Sequence, residues 1–116
     1  MSEDFNQLLP LSPTVLHILL ALAGENRHGY GIMQEIARQS AGRYKLWPAT
    51  LYENLQKLLE QGIVAETSPH IPDDDSRRIY NKLTKFGRGL LSTEIARLER
   101  VFLEAKVHLR TRPRRA

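Results

Sequence analysis

The chain has 116 residues and no cysteine. That length suits one domain with one modest core, and the missing thiols exclude disulfides, thiolate metal sites and thiol redox sensing. The formal charge of +4 is uneven: residues 106–116 hold five basic side chains and no acid, while the other 105 residues hold 12 basic and 13 acidic ones.

The body is therefore nearly neutral, and any face for nucleic acid has to come from the placement of charge. The basic residues gather in two groups. Arg38, Arg43, Lys45 and Lys57 form one, and Arg77, Arg78, Lys82, Lys85 and Arg88 form the other.

In chain order, Ser2 with Glu3 and Asp4 reads as the capped start of a short helix. Phe5, Leu8 and Leu9 share its apolar face, and Pro10 ends it. Ser12-Pro13 is a second start signal. Val15, Leu16, Ile18, Leu19, Leu20 and Leu22 then make a helix apolar nearly all round, the expected centre of the core. This apolar run is broken by His17 and is too short to span a bilayer. No basic segment followed by an apolar run opens the chain. The expected setting is cytoplasmic, away from any membrane.

His28-Gly29-Tyr30-Gly31 opens a third helix, which closes near Ser40-Ala41-Gly42. The loop Arg43-Tyr44-Lys45-Leu46-Trp47 leads to Pro48. From there Leu51, Leu55, Leu58 and Leu59 recur at helical spacing. Thr50, Glu53, Asn54 and Lys57 fall on the other side, with Tyr52 at the boundary. Gly62 stops the helix. Two short strand-like runs follow, from Ile63 to His70 and from Arg77 to Leu83, around the acidic turn Asp73-Asp74-Asp75.

Thr84 caps a last helix running to about Leu109. On it Leu91, Ile95, Leu98, Phe102, Ala105 and Leu109 are spaced 4, 3, 4, 3, 4, the pattern of a helix–helix seam. Pairing of this helix with its copy in a second subunit is the expectation, with help from Phe5, Leu8 and Leu9. The alternative is a helix folded back on its own domain. The predicted class is mainly α with a small β-ribbon: a winged helix-turn-helix over residues 1–83 and a long C-terminal dimerisation helix over 84–110. Residues 111–116 read as a basic tail.

These pieces resemble the PadR family of transcriptional regulators. The matching segments are the apolar helix 14–23, His28-Gly29-Tyr30, Thr50-Leu51-Tyr52 and Leu58-Leu59-Glu60-Gln61-Gly62-Ile63. The acidic turn before Arg77-Arg78-Ile79-Tyr80 matches too, as does Leu83-Thr84-Lys85-Phe86-Gly87-Arg88-Gly89-Leu90-Leu91. Together they span about residues 12–91, and the single terminal helix is similar to the short subfamily. The resemblance implies a homodimer on operator DNA, usually a repressor released by a small molecule. It places Tyr30 near the DNA backbone. The chain departs from the family pattern at Ala49, where glycine is frequent, and at Glu53 and Asn54. The terminal helix also lacks the tryptophan with which short relatives hold flat aromatic compounds.

Pro48, Ala49, Thr50, Tyr52, Asn54 and Lys57 are the candidate contacts from the helix at Pro48, and Lys45 from the loop before it. The helix N-terminus favours a phosphate or a base edge, and Asn54 has the donor–acceptor pair that matches adenine. The lesser alternative for Tyr52 is a ring at the core edge, and Asn54 reads equally as an exposed helix residue. Arg77 and Arg78 sit at the ribbon end, where they would meet phosphate or the minor groove, or pair with Asp73–Asp75. Two such helices in a two-fold dimer enter successive major grooves about 34 Å apart, so double-stranded, pseudo-palindromic operator DNA is the expected partner.

Trp47 reads as a packing anchor, or with Phe5 and Leu9 as the wall of a cavity for a small hydrophobic or aromatic effector. No cofactor is expected. Asp73–Asp75 lacks the ligand spacing and the glycine of a calcium loop, and His17, His28, His70 and His108 have no partner at metal spacing. No constellation resembles a catalytic site. Beside the DNA-binding reading stands a winged-helix protein–protein adaptor.

Overall fold

The structure is a computed structural model, and it describes residues 5–68 and 78–110. Four helices and three short strands follow one another: α1 Pro13–Gly24, β1 Arg27–His28, α2 Gly29–Gln39, α3 Pro48–Glu60, β2 Val64–Thr67, β3 Tyr80–Leu83 and α4 Lys85–Arg110. The strands form one antiparallel sheet in the order β1-β3-β2. Arg27 and His28 pair with Asn81 and Tyr80, and Val64 to Thr67 pair with Leu83 to Tyr80. The two-stranded ribbon expected from the sequence thus gains a third strand. At two residues β1 is too short to leave a period-two pattern.

The N-terminal segment also differs from expectation. Its described part, from Phe5 on, is a single turn closed by Leu8 N–H on the Phe5 carbonyl at 2.9 Å, not an α-helix. So few residues before Pro10 give helix propagation no room to offset nucleation. What holds the segment is packing. Phe5, Leu8 and Leu9 lie against the core, and the Phe5 ring stands 5.3 Å from that of Phe86.

α1 runs through the middle, with Ile18, Leu19, Ala21 and Leu22 buried. Around it Ile32 and Ile36 of α2, Leu51, Leu55 and Leu58 of α3, Ile63 and Val64, and Leu90 and Leu91 of α4 complete the core. Full burial of such side chains is worth about 1.5–3 kcal/mol each. Ser12 caps α1 through its side-chain oxygen and Pro13 occupies the first turn, as the sequence signal required.

α3 ends in a glycine-terminated motif. Gly62, at φ 74°, sends its N–H to Leu59 O and lets Ile63 N–H reach Leu58 O. Thr84 ties the same turn to α4. Its hydroxyl lies 2.6 Å from the Gly62 carbonyl and accepts the Gly87 N–H at 2.9 Å. The turn that ends α3 and the cap that starts α4 are therefore one hydrogen-bonded unit.

α4 has two halves. Gly87, Leu90, Leu91 and Glu94 are buried, while residues 101–110 are exposed throughout. No helix among the described residues is long and apolar enough to cross a membrane.

Candidate nucleic-acid interface

Leu51, Leu55 and Leu58 turn one side of α3 inward. At 100° per residue the opposite side carries Ala49, Thr50, Tyr52, Glu53, Gln56, Lys57 and, in the last turn, Glu60, all exposed. This strip stands over solvent on a helix pinned at both ends. Pro48 opens it and the Gly62 turn closes it. Ala49, Glu53 and Gln56 lie at the centre of the strip, Tyr52 on one flank, Thr50 and Lys57 on the other. Gln56 was missed by the sequence reading, although it lies opposite the same leucines that defined the helix. It carries the paired amide donor and acceptor that suit adenine, and Glu53 has the acceptor that suits cytosine N4.

Asn54 sits differently. It is half-buried at the edge of the strip, beside Val15 and Lys57, and its Nδ2 donates to the Thr50 carbonyl at 2.8 Å. A contact with DNA would require that bond to be exchanged.

On the other flank, Tyr52 meets the start of α2. His28, Gly29, Tyr30, Tyr52, Gln56 and Arg78 border one open cavity of about 530 Å³ between α2, α3 and the sheet. Tyr30 and Tyr52 are more than half exposed at its rim. Gly29 is buried under the Tyr52 ring, and a Cβ there would come within 2.9 Å of Tyr52 Cζ.

His28 caps α2, with Nδ1 accepting the Gly31 N–H at 3.1 Å. A neutral imidazole that accepts at Nδ1 carries its hydrogen on Nε2. Arg78 Nη1 lies 3.0 Å from that Nε2. The guanidinium can only donate, so this contact and the α2 cap call for different tautomers of the ring. Arg77, the acidic turn and His70 lie outside the described residues.

The loop between α2 and α3 adds the remaining basic side chains. Ala41 and Gly42 take positive φ of 55° and 79°, and Ser40 Oγ accepts the Tyr44 N–H at 2.9 Å. The Tyr44 hydroxyl touches the Thr14 hydroxyl, and its ring lies 4.9 Å from that of His17 at a tilt of 37°. Arg43 and Lys45 are thus held out at the surface, beside Trp47 and Thr50.

Trp47 is not a packing anchor: it is 77% exposed. Nor does the structure gather it with Phe5 and Leu9. Phe5 lies on Phe86, whereas Trp47 lines a depression with Thr14, Lys45 and Thr50.

Two carboxylates, Glu35 and Glu94, hold the ion pairs that brace this frame. Arg38 grips Glu35 through Nε and Nη2 at 2.9 and 2.7 Å, and Arg27 reaches the same carboxylate at 3.6 Å while donating to the Ala21 carbonyl. The Arg38 hydrogen bonds, helped by Gln39, pull the Glu35 pKa down to about 2 against the cost of burial. In α4, Glu94 is 1% exposed and accepts both Arg97 and the Leu11 N–H. Its pKa is lowered, chiefly by Arg97, against desolvation.

A family model described as the transcriptional regulator PadR-like family matches residues 15–93. The chain belongs to the PadR-like family of transcriptional regulators. Solved structures agree at the level of the fold. A transcriptional regulator from Clostridium thermocellum is 21% identical, with 97% of this chain and 99% of that one aligned at a TM-score of 0.66. A PadR family transcription regulator from Clostridium difficile is 24% identical over 86% of this chain and all of that one, at a TM-score of 0.62. An uncharacterised protein of Lysinibacillus sphaericus is 29% identical over 75 residues, 65% of this chain and 68% of that protein.

The winged helix of this PadR-like regulator is accordingly α1 to β3, followed by the long α4. The family and the two solved neighbours are transcriptional regulators, not enzymes. The family match reaches the first third of α4 and stops near where its burial ends. The seam read from the sequence divides at the same place. Leu91, 6% exposed, belongs to the chain's own core. Ile95, Phe102 and Leu109 are 43%, 58% and 85% exposed, Leu98 is half-buried and Ala105 is exposed.

Proposed function

We propose that this PadR-like protein is a homodimeric, sequence-specific transcriptional regulator that represses its operator and is released by a small hydrophobic or aromatic effector. The observation that supports it most is the exposed strip of α3. It carries base-reading groups at its centre, Gln56 and Glu53, and Lys57, Thr50 and Tyr52 at its edges. Base edges are read by side chains of this kind from a helix in the major groove, while phosphate contacts set register. Tyr30, Arg78 and the His28 cap on one side, and Lys45 with the N-terminal turn Pro48, Ala49 and Thr50 on the other, are the phosphate contacts. Arg77 completes the wing side of this reading.

The dimer rests on α4. The face that buries Leu90, Leu91 and Glu94 in its own core continues as Leu98, Val101, Phe102, Ala105 and Leu109, where the chain's own core no longer reaches it. A second copy laid against this face shields it in both subunits at once. It also sets two reading helices on one side of the molecule, which calls for a pseudo-palindromic operator. The effector acts by favouring one angle between the paired α4 helices, and it does so only through unequal affinity for the two arrangements.

Binding-site selection from random duplex DNA, with light scattering of the free protein, tests both parts. A selected sequence with two-fold symmetry and a mass of two chains is the expected result. Enrichment of no sequence together with loss of heparin retention at low salt would favour the protein–protein adaptor. A monomer at micromolar concentration would remove the dimer.

A further inference from the structure

Outside α4, the described large apolar side chains that lie more than half exposed are Tyr30, Trp47, Tyr52 and Ile79. Trp47 is the most exposed of the four, at 77%, and it stands just ahead of the reading strip. We infer that Trp47 is a specificity-determining contact with operator DNA, its indole covering a thymine methyl group in the major groove beside the first turn of α3. This rests on the DNA-binding reading above.

The local chain explains why the ring points outward. Trp47 is the N-cap of α3, in extended backbone at φ −79° and ψ 148°. Neighbouring side chains in extended backbone face opposite ways. Leu46 packs against the core, so Trp47 faces solvent, and Pro48 fixes the exit from the loop. The position is also a poor one for tryptophan on structural grounds. N-caps favour Ser, Thr, Asp or Asn, and α3 has no side-chain cap hydrogen bond. A residue that leaves its helix uncapped and its own ring wet adds little to the free protein.

The surroundings indicate the occupant. Arg43, Lys45 and Thr50 line the same depression, and no acid is among its described walls. That charge suits phosphates on both sides of a groove. Within an intact duplex the bases are stacked and offer no face to the indole. The apolar feature on a base edge in the major groove is the thymine methyl, and the indole N–H, a donor only, is left to meet an acceptor beside it.

The chain has one tryptophan, so its emission reports this site alone. The experiment takes the full chain and an operator selected from random DNA, with binding followed independently by anisotropy of labelled duplex. Saturation with operator should quench the indole. Trp47→Ser should bind operator about tenfold more weakly, yet bind random duplex nearly as well as the parent. The same variant should melt roughly 3 °C higher, because serine supplies the missing cap.

Replacing single thymines by uracil removes only the methyl group. In the parent this should weaken binding at one position in each half-site, and in Trp47→Ser it should not. Operator binding with unaltered emission, or an unchanged uracil profile in the variant, would overturn the role of Trp47 alone. So would a fall in melting temperature, or emission that follows protein concentration instead of DNA, since both place the ring in a protein interface. No anisotropy change with any duplex would overturn the DNA-binding reading and this contact with it.

Discussion

The Tyr52 ring of α3 lies across the backbone of Gly29 at the start of α2, close enough that a Cβ on residue 29 would sit 2.9 Å from Tyr52 Cζ. The contact joins the two helices of the helix-turn-helix through a side chain that also stands at the cavity rim proposed to face DNA. Gly29→Ala should push the ring aside. The obstructing atoms are the far end of a flexible side chain, so the fold should lose less than about 1 kcal/mol. Operator affinity should fall severalfold as Tyr52 leaves its place. Thermal melting and a DNA titration on the same variant check both halves. An unfolded variant, or one with unchanged affinity, would sever the link between this packing and recognition.

Gly87 gives the opposite outcome. A Cβ there would run into the Ile63 carbonyl, with the carbonyl carbon only 3.1 Å away. That backbone is fixed from two directions, by Thr84 and by the turn at Gly62. It has no room to yield. Gly87→Ala should destabilise the fold by about 2 kcal/mol or more, read as a lower denaturant midpoint. Operator affinity per folded molecule should stay level.

The two glycines show what the sequence alone carried. The helices, the inward leucine face of α3 and the long last helix were legible because leucine periodicity, Ser12-Pro13 and Gly62 are local signals. Closeness of Gly29 to Tyr52, or of Gly87 to Ile63, is a tertiary fact that no local pattern records. The same limit hid β1, whose two residues are strand only because Asn81 and Tyr80 lie beside them. It also misled the reading of Leu91. A 4-3-4 spacing marks a helix face but does not say where the protomer's own core stops covering it. Trp47 looked like an anchor because tryptophans usually are. Its exposure follows from Leu46 taking the inward position.

Division of the α4 seam predicts two distinct failures. Leu91→Ala removes a core side chain and should cost about 2–4 kcal/mol of stability. Phe102→Glu changes a residue 58% exposed in the protomer, so the subunit should keep its fold while the dimer falls apart. Light scattering should then give the mass of one chain, and operator affinity should drop by at least tenfold once the second reading helix is gone. A Phe102→Glu protein that stays dimeric would place the interface elsewhere.

Acid should act through Glu35 and Glu94. Both carboxylates have pKa values below the ordinary 4.5, Glu35 at about 2. A depressed folded value means that the unfolded state binds the proton more readily. The stability from each group is therefore fully present above about pH 4.5 and is lost as pH falls toward the folded value. Urea midpoints should decline from pH 4.5 to 2 in the parent. In Glu94→Gln the decline should be shallower and start from a lower plateau, because the neutral amide can no longer anchor Arg97 while still meeting the Leu11 N–H. A parent midpoint flat across that window would contradict this direction of acid sensitivity.

Phosphate and base contacts separate by salt. Lys57 and Arg78 stand at the edges of the proposed reading surface, where a cation set against a phosphate releases counterions. Lys57→Ala and Arg78→Ala should weaken binding to operator and random duplex alike, and each should shallow the plot of log affinity against log salt by about one unit, because one phosphate keeps its counterion. Gln56 is at the centre of the strip and uncharged. Gln56→Ala should leave the slope unchanged and relax the preference at one base pair in each half-site, at about 1–3 kcal/mol. Asn54→Ala gives the comparison within the same helix. Its amide is already engaged by the Thr50 carbonyl, so a smaller loss of preference than at Gln56 is expected. The reverse ranking in a base-by-base competition would move the reading edge of α3 toward α1 and away from the sheet.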